Sequence, residues 1–583
     1  MKDPLKSQVS YLSAYGALLW AMNCRPFRAP PSRYINSWEL PKMKVSFISR
    51  KCFLQKWGEI MKVSRKMLRY VVFACCCFLA FGGILTPQRV HADWLRDLEA
   101  EAIAWMAEER SPGMAIAIVK NDVPIYVKGF GHLSVDPSSP LVNEDTVFMI
   151  GSTSKAFASA QLAVLADQKR LAWTDPVRKH LPSFRMFDPW VNAQMQVEDL
   201  LCHRSGMNRY SLTMMEVLNY PTGERIRGIR FQQPVTSFRT AFAYQNCMYI
   251  AAAKLAEAVA GKSWGESLSE LIFGPLGMTR SVTTQAAVDA MEDVAPGHLR
   301  LSDGGLWPIP SHWIWNTIQD RSLAAAAVRT TAHDMAQWLR FQLSPGKLGD
   351  QQIVTEANMR YLHAPRVLVA PWAHNTDSPS WGSVSYCCGA WNYWGLSPQP
   401  FLFHDGGAMG SGSALGLVPG ADIGIAVLTN IEGGDYLASK IVCRFYDLYF
   451  NRGTPPAELE RNLVALRGLA RPSSSRASFP LSAQASCRSL EDYCGVYSNP
   501  AYGRFIVRQS KGSLVITMGP GKIRANLVPA GPNAFTAYLS GYPKGYEMTF
   551  PMEFAFPSSG PATLAVGPMV GPDPKEVFSR MDE

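Results

Sequence analysis

The chain is 583 residues long with 47% hydrophobic and 18% charged residues, which allows two or three globular domains and excludes an intrinsically disordered protein. Its formal net charge of +10 is concentrated at one end, because residues 1–92 hold 15 of the 57 Lys and Arg residues but 3 of the 47 Asp and Glu residues. The remaining chain has 42 basic and 44 acidic residues. This balance argues against a nucleic-acid-binding protein, which clusters basic residues on its folded domain.

Residues 61–92 have the pattern of a targeting segment. A basic stretch is followed by an apolar run from Tyr70 to Leu85 and then by the small-x-small sequence Val90-His91-Ala92. The apolar run is shorter than the roughly 20 residues of a membrane-spanning helix. We therefore interpret the segment as a signal peptide cleaved after Ala92, with an uncleaved membrane anchor as the alternative. The protein is expected to be exported, to the periplasm or the extracellular space.

Residues 1–60 precede this targeting segment and form an N-terminal extension. Signal peptides begin near the N-terminus of a protein. Our hypothesis is therefore that translation starts at Met61 or Met67.

Hydrophobic periodicity predicts the elements of residues 93–453. They are a helix over 93–110, a β-hairpin of 114–120 and 123–130, helices over 152–170 and 249–260, a helix beginning at Thr331 with Asp334 as its capping-box partner, strands over 414–418 and 423–429, and a helix over 437–450. This order is typical of an α+β domain in which helices, including a largely helical region, flank an antiparallel sheet.

The C-terminal part of the chain has a different composition. Residues 454–485 are rich in Pro, Ser and Arg, which predicts a linker. Strands are predicted beyond it over 505–508, 514–518, 535–539 and 548–554. Residues 486–583 are therefore expected to form a small all-β domain.

The cysteines do not form a recognisable pattern. Seven of the twelve follow the expected cleavage site, and an odd, scattered set does not indicate a disulfide framework. Cys487 and Cys494 are the one local pair considered for a disulfide. No C-x-x-C pair or H-E-x-x-H motif is present, so we expect neither a metal site nor a cofactor.

The sequence Ser152-Thr153-Ser154-Lys155 is the S-x-x-K match of this chain and stands at the start of a predicted helix. Residues i and i+3 share a helix face, so Ser152 and Lys155 are expected to lie side by side. Burial and the positive end of the helix dipole both disfavour the ammonium form of a lysine, which would let Lys155 activate the hydroxyl. For the motif alone, the alternative is a solvated lysine near a helix start.

Two further motifs follow in order. Tyr244-Gln245-Asn246 would add a phenol that relays a proton and a carboxamide that holds a substrate carbonyl. His404-Asp405-Gly406-Gly407 follows an apolar strand, where the histidine could bond to substrate, Gly406 and Gly407 would permit close approach of a substrate backbone, and the Gly407 N–H could serve an oxyanion hole. The alternatives are a core or surface tyrosine and a surface histidine on a bulged edge strand.

A competing motif is Gly261-Lys262-Ser263-Trp264-Gly265, which fits the G-x-S-x-G nucleophile elbow. That elbow requires a strand before the serine and a helix after it. An alanine-rich helix is predicted before Ser263, so we interpret the segment as a turn between helices.

These motifs in this order resemble the penicillin-recognising serine hydrolases, specifically the class C β-lactamase-related branch known as peptidase family S12. The resemblance covers roughly residues 98–449, and the β-rich segment from Tyr493 resembles an accessory domain often appended to these hydrolases. It rests on residues 111–115, 150–157, 199–206, 242–246 and 404–407.

The resemblance implies a β-lactamase/transpeptidase-like fold with Ser152 as the acylated nucleophile. It also implies Lys155 and Tyr244 as proton-transfer groups and Asn246 as a positioning residue. The backbone N–H groups of Ser152 and Gly407 would form the oxyanion hole, and the loop at 202–206 would be structural.

The sequence departs from the family pattern at two places. His404 stands where β-lactamases usually carry the lysine of K-T-G, which weakens the case for binding a β-lactam carboxylate. The stretch Ala324-Ala325-Ala326-Ala327-Val328 stands where the family usually has paired glycines. We therefore favour an esterase or D-amino-acid peptidase over a β-lactamase.

The expected function is hydrolysis of an ester or amide through a covalent acyl-enzyme. Its partner would be a small-molecule or peptide substrate, such as an ester, a D-amino-acid amide, a β-lactam or a peptidoglycan fragment. The alternative is a binding or sensing protein on the same scaffold that recognises penicillin or peptidoglycan fragments without turnover.

Overall fold

The computed structural model describes residues 87–370, 383–396, 398–455, 457–458, 460, 488–567 and 576–581. Residues 87–583 belong to one compact unit. The helices are α1 Pro87–Glu108, α2 Ser154–Asp167, α3 Val177–His180, α4 Pro189–Gln194, α5 Thr213–Val217, α6 Thr222–Gly228, α7 Asn246–Ala260, α8 Trp264–Leu268, α9 Gln285–Val288, α10 Ile314–Asp320, α11 Ala332–Leu343, α12 Glu356–His363 and α13 Gly434–Tyr449.

The strands before the linker make one large sheet and three short two-stranded ribbons. They are β1 Gly113–Lys120, β2 Val123–Gly131, β3 Phe148–Met149, β4 His298–Arg300, β5 Leu306–Pro308, β6 Arg329–Thr330, β7 Lys347–Leu348, β8 Gln351–Gln352, β9 Pro365–Ala370, β10 Val384–Cys387, β11 Asn392–Trp394, β12 Phe401–Ala408, β13 Ser411–Val418 and β14 Ile423–Thr429.

The large sheet is antiparallel and has the strand order β2-β1-β14-β13-β12-β11-β10-β9. Both of its faces are covered, which explains why β1 is apolar throughout instead of alternating. Ile116 of β1 packs with Leu98 of α1 and Leu437 of α13. The adjacent Ala117 faces the opposite side and packs in the core that contains Trp338 of α11.

The core that contains Trp338 also positions the N-terminal end of α2. Phe157 of α2 stacks on Trp338 with ring centroids 3.9 Å apart, and both side chains are fully buried. Twelve of the fourteen residues of α2 are buried. The helix is therefore held on all sides, and the residues at its start have a defined position.

The C-terminal strands close into an eight-stranded antiparallel barrel. The barrel comprises β15 Gly495–Asn499, β16 Gly503–Ser510, β17 Ser513–Met518, β18 Ile523–Gly531, β19 Ala534–Leu539, β20 Thr549–Ala555, β21 Thr563–Val566 and β22 Glu576–Arg580. Inward residues alternate along the strands, as Phe505 and Val507 of β16 are buried and Arg504 and Arg508 are exposed. The predicted all-β character of this region is confirmed.

The predicted α+β class with an antiparallel sheet and flanking helices is also confirmed. One detail differs: His404 to Gly407 lie within β12 instead of after it, because their pairing with β13 continues to Ala408. The targeting and linker predictions concern residues that lie largely outside the described ranges, as does Cys487 of the considered disulfide. Helix α1 begins at Pro87, so its first turns include the expected cleavage site.

Among the described residues, no helix combines the length and the apolar character needed to cross a membrane.

Candidate active site

Ser152 lies in a single 3₁₀ turn, Gly151–Thr153, that leads directly into α2. The turn packs on the face of the large sheet above β12 and β13. Gly151 has a φ of +54°, and a Cβ at this position would lie 2.6 Å from the Gly407 carbonyl oxygen. Both the left-handed conformation and the close approach require glycine. The sequence therefore keeps the Ser152 backbone against strand β12.

Hydrogen bonds between side chains secure the same turn. The Thr153 hydroxyl donates to the Ile150 carbonyl at 2.9 Å and lies 3.0 Å from the Ser413 hydroxyl. Ser413 of β13 also donates to the Ile150 carbonyl at 2.7 Å. The turn is thus bonded to the sheet, while Ser152 itself stays partly exposed.

Lys155 is fully buried and its ammonium nitrogen lies next to Ser152. Nζ donates to the Ser152 Oγ at 3.0 Å and to the Ala325 carbonyl at 2.8 Å. It also lies 4.8 Å from the ring centroid of Tyr244 and 5.5 Å from that of Tyr249. The alanine stretch at 324–328 therefore has a defined contact at this site, because one of its carbonyls holds the amine in place.

Tyr244 enters the site from the loop that precedes α7. Its ring centroid lies 6.4 Å from the His404 ring and 5.7 Å from the Tyr210 ring. Its carbonyl accepts a hydrogen bond from the Tyr210 N–H at 2.8 Å. Two segments that are distant in sequence thereby place this phenol beside both Lys155 and His404.

Asn246 is the first residue of α7, two positions after Tyr244. Its side-chain oxygen is buried and accepts no hydrogen bond from the described part of the protein. Buried polar atoms normally have a partner, so an open acceptor at this position is suited to a substrate N–H group.

His404 is almost fully buried in β12. Its Nδ1 lies 2.6 Å from the Asp405 carbonyl and its Nε2 lies 3.1 Å from the Tyr386 hydroxyl. The carbonyl accepts from Nδ1–H. Burial raises the pKa of Tyr386 well above its ordinary value, so that phenol keeps its proton. Both of these partners are neutral.

Gly406 packs closely against the turn that carries Ser152. A Cβ at Gly406 would lie 2.1 Å from the Ile150 carbonyl and 2.9 Å from the Thr153 N–H nitrogen. The space above this glycine is therefore occupied by that turn, and the approach of a substrate backbone to Gly406 stays a prediction.

The sequence motifs thus meet around one partly exposed hydroxyl. A family model described as Beta-lactamase matches residues 95–441, which is more than half of the chain. The chain belongs to the β-lactamase family. The predicted resemblance is confirmed at the level of the family.

Curated relatives of this β-lactamase-family chain carry several names. It is 26% identical over 369 residues to a protein named unguisins hydrolase from Aspergillus violaceofuscus, an alignment that covers 59% of this chain and 64% of that relative. It is 29% identical over 350 residues to an unguisins hydrolase from Aspergillus campestris, covering 58% of this chain and 62% of the relative. The chain therefore spans slightly less than two thirds of the length of these two relatives.

A third relative and a solved structure are also similar to this chain. Penicillin-binding protein 4 of Amycolatopsis lactamdurans is 26% identical over 347 residues, covering 58% of this chain and 85% of that protein. The octameric penicillin-binding protein homologue from Pyrococcus abyssi has a similar fold, with a TM-score of 0.54 and 22% identity over 83% of this chain and 100% of that one. The similarity supports the β-lactamase/transpeptidase-like fold.

His203 is a site neighbour that the sequence analysis assigned only to a structural loop. Its fully buried ring lies 4.2 Å from the Tyr244 ring and 4.7 Å from the Tyr386 ring. Nδ1 accepts from the Gln245 N–H at 3.0 Å, whereas Nε2 is buried without a partner in the described structure. Burial holds the pKa of His203 well below its ordinary value. A neutral imidazole therefore supports the Tyr244 ring. The signal in the sequence that could have pointed to this contact was the histidine in the loop at 202–206, which matches the family.

Ser263 lies outside this site, as expected. It is the N-cap of α8, follows α7 and Gly261, and donates to the Glu266 carboxylate at 2.7 Å. Helices stand on both sides of Ser263, so the strand–turn–helix geometry of a nucleophile elbow is absent at this position. In the described ranges no group of three or more His, Cys, Asp or Glu residues is arranged to hold a metal ion.

Proposed function

We propose that this chain is a serine hydrolase that forms a covalent acyl-enzyme at Ser152. The observation that carries the proposal is the 3.0 Å hydrogen bond between Nζ of the fully buried Lys155 and Oγ of Ser152. A serine hydroxyl becomes an effective nucleophile when a neighbouring base takes its proton. Since burial disfavours the charged form of an amine, Lys155 is suited to be that base.

In the proposed acylation, the Ser152 oxygen attacks the carbonyl carbon of an ester or amide and its proton passes to Lys155. The tetrahedral oxyanion accepts hydrogen bonds from the backbone N–H groups of Ser152 and Gly407. The Gly407 backbone lies against Gly151, which supports this pairing of donors. The proton then moves through the Tyr244 phenol to the leaving alcohol or amine as the carbonyl–leaving-group bond breaks.

In the proposed deacylation, water attacks the acyl carbon from the side that the leaving group has vacated. The Tyr244 and Lys155 pair accepts a proton from this water, and the Ser152 oxygen takes a proton back as the ester bond breaks. The products are a carboxylic acid and free enzyme. Asn246 would orient the acyl group through its open side-chain oxygen.

We further propose that the substrate is an ester or a D-amino-acid peptide in preference to a β-lactam. The third motif carries His404 instead of a lysine, and its nitrogens contact the neutral Asp405 carbonyl and Tyr386 hydroxyl. Histidine places a titratable group where lysine would place a permanent positive charge, which weakens the case for binding a β-lactam carboxylate. The relative named penicillin-binding protein 4 is the reason to keep β-lactams among the tested ligands.

The decisive experiment is covalent labelling followed by mass spectrometry. The intact protein is incubated with a fluorophosphonate and, separately, with a penicillin, and the labelled peptide is sequenced. One added label on Ser152, absent from Ser152→Ala and retained in Ser263→Ala, is the expected result. An unchanged mass with both reagents, or a label on Ser263, would contradict the proposal.

Substrate preference is tested with p-nitrophenyl esters, D-alanyl amides and nitrocefin at equal enzyme concentration. We expect kcat/KM for one of the first two classes to exceed that for nitrocefin. The reverse order would assign the chain as a β-lactamase. A long-lived acyl-enzyme without product from any of the three would favour the binding or sensing alternative.

We also propose that the protein is exported, because the basic and apolar pattern of residues 61–92 is that of a signal peptide. N-terminal sequencing of the protein recovered from outside the cytoplasm is expected to begin at Asp93. Recovery with residues 1–60 attached would contradict both the cleavage and the start-site hypotheses.

A further inference from the structure

Two buried cysteines meet behind the candidate active site. Cys202 and Cys388 are 186 residues apart in the chain, yet their sulfur atoms lie 3.2 Å apart. Both side chains are fully buried. The contact joins the loop that follows residues 197–200 to the turn between β10 and β11.

Each cysteine is next to a residue that supports the site. Cys202 precedes His203, whose ring lies 4.2 Å from the Tyr244 ring. Cys388 is two residues after Tyr386, whose hydroxyl lies 3.1 Å from Nε2 of His404. A bond between the two sulfurs would therefore hold the supports of Tyr244 and His404 in one fixed relation.

We propose that Cys202 and Cys388 form a disulfide bond that clamps the two segments behind the candidate active site. A disulfide has an S–S length of about 2.05 Å, so the sulfurs must approach by about 1.2 Å from their contact distance. This displacement is small enough for side-chain rotation and a slight shift of the two loops. The inference rests on the sulfur geometry and does not depend on the proposed hydrolase activity.

The bond forms by thiol–disulfide exchange with a disulfide oxidant, such as an oxidised dithiol oxidoreductase or oxidised glutathione. One thiolate attacks the oxidant to give a mixed disulfide, and the second thiolate displaces the reduced oxidant. Two protons and two electrons leave the cysteine pair, and the oxidant becomes two thiols.

The reactivity of the two thiols indicates when the disulfide forms. The hydrogen bond with Cys388, together with burial, raises the pKa of Cys202 well above its ordinary value. The thiolate is the reacting species, so the folded reduced pair reacts slowly. We therefore expect the bond to form during folding in an oxidising compartment, before the two sulfurs are enclosed.

Cys387 provides a matched control beside the pair. It is equally buried, but its sulfur lies 3.2 Å from the His363 carbonyl oxygen. Its thiol is therefore engaged with backbone, and its removal should leave the Cys202–Cys388 bond intact.

The test is disulfide mapping of the full chain after folding with oxidised and reduced glutathione. The protein is quenched in acid, denatured, alkylated and digested without reduction. We expect a cross-linked peptide pair containing Cys202 and Cys388 in the natural protein and in Cys387→Ala, and its loss in Cys388→Ala. Alkylation of both cysteines in the natural protein folded under these conditions would overturn the proposal.

A second measurement covers the case in which a single variant folds poorly. Reduction of the natural protein is expected to lower Tm by roughly a few degrees, because the cross-link restricts the unfolded chain. The same shift should appear in Cys443→Ala, which removes a buried thiol in α13, and should be absent from the Cys202→Ala/Cys388→Ala double variant. An equal shift in the double variant would contradict the inference.

Discussion

Lys155 combines full burial with a direct bond to a partly exposed hydroxyl. Nζ also donates to the Ala325 carbonyl, and the ring centroids of Tyr244 and Tyr249 lie within 5.5 Å of it. Full burial disfavours the charged form of an amine, which is the property that a general base requires.

Replacement of Lys155 by methionine keeps much of the side-chain volume and removes the base. We expect kcat/KM for the best ester substrate to fall by about 10²–10⁴-fold, the usual contribution of a positioned acid–base group. Fluorophosphonate labelling of Ser152 should slow in parallel. Lys254→Met is the control, since Lys254 is partly exposed on α7 and pairs with Glu257. A labelling rate that is unchanged in Lys155→Met would remove Lys155 from the mechanism.

His363 makes the stability of the protein depend on pH. It is partly buried, its Nε2–H donates to the Gln342 side-chain oxygen at 2.8 Å, and removal from water lowers its pKa to about 4. The unfolded chain takes up a proton near pH 6.5, whereas the folded protein does so near pH 4. The contribution of His363 to the free energy of unfolding is therefore fully present above pH 6.5. It is lost as the pH falls towards 4, and it amounts to roughly 3 kcal/mol.

The measurement is urea unfolding at pH 7.5 and pH 5. His363→Gln should lose less stability between the two pH values than the natural protein, because glutamine does not titrate. The pKa of His203 is also held below its ordinary value, so His363→Gln should keep part of the pH dependence of stability. The exposed His312→Gln is the control for the loss of a histidine. Equal pH dependence in the natural protein and His363→Gln would show that His363 titrates normally.

Strand β12 is the element on which the site is assembled. It carries His404 and Gly407, pairs with β13 along its length, and supports the turn of Ser152 through the space above Gly406. Helix α2 supplies the other half, because the turn that bears Ser152 continues into it. The relative position of these two elements sets the distance from the Ser152 hydroxyl to the Gly407 N–H, one of the two proposed oxyanion donors.

A methyl group at Gly406 should therefore separate the two elements. In Gly406→Ala the added Cβ would overlap the Ile150 carbonyl, the Thr153 backbone nitrogen and the Ser413 hydroxyl. We expect stability to fall by about 1–3 kcal/mol and kcat/KM to fall by roughly 10²-fold, since a shift near 1 Å is enough to disturb reacting groups. Thermal unfolding and ester hydrolysis measure both effects.

Gly223→Ala is the matched control for this substitution. Gly223 lies in α6 and a Cβ there would have no neighbour within 4 Å. Alanine is also the better helix former, so this variant should be neutral or slightly more stable. If Gly406→Ala behaved like Gly223→Ala, the close packing of the turn on β12 would not control the site.

The strands and helices differ in how well their sequences predict them. Helices α2, α7 and α13 and the hairpin β1–β2 were predicted nearly to their ends, because each is a largely apolar segment of sequence. Four of the eight barrel strands were also predicted, whereas β15, β18, β21 and β22 were missed. Strand β18 contains Pro529 and the polar residues Arg524 and Asn526, so its pairing depends on neighbours that lie elsewhere in the chain.

The barrel and the family domain share an aromatic contact. Tyr542 lies in the loop after β19, and its ring centroid is 5.2 Å from that of Trp315 and 5.5 Å from that of Trp313. The Trp313 indole donates to the Gly541 carbonyl at 3.1 Å, and the Tyr546 hydroxyl donates to Glu432 at 2.8 Å. On the other side of the barrel, the Tyr220 hydroxyl donates to the Tyr502 carbonyl. Residues 87–581 should therefore unfold with coupled stability.

Removal of the Tyr542 ring tests that coupling. Tyr542→Ala is expected to destabilise the protein by up to about 3 kcal/mol, the low end of the cost of deleting a buried aromatic side chain, because Tyr542 is partly buried. Tyr542→Phe is the control, because it keeps the ring and loses only the contact of the hydroxyl with the Met548 sulfur. Calorimetry should show one lowered transition in Tyr542→Ala. A natural-like Tm in that variant would mean that the barrel adds little to the stability of the family domain.

The family, the fold class and the closeness of Ser152 to Lys155 were accessible from the amino-acid order. These two residues are three positions apart in the turn and first helical turn of α2, so local spacing brings them together, and their catalytic roles stay predictions. The contact of Cys202 with Cys388, the packing of the His203 ring on Tyr244 and the contact of Gly406 with the Ser152 turn were not accessible. Each joins segments that are between about 40 and 260 residues apart, and such contacts arise only when hydrophobic packing and strand pairing bring those segments together.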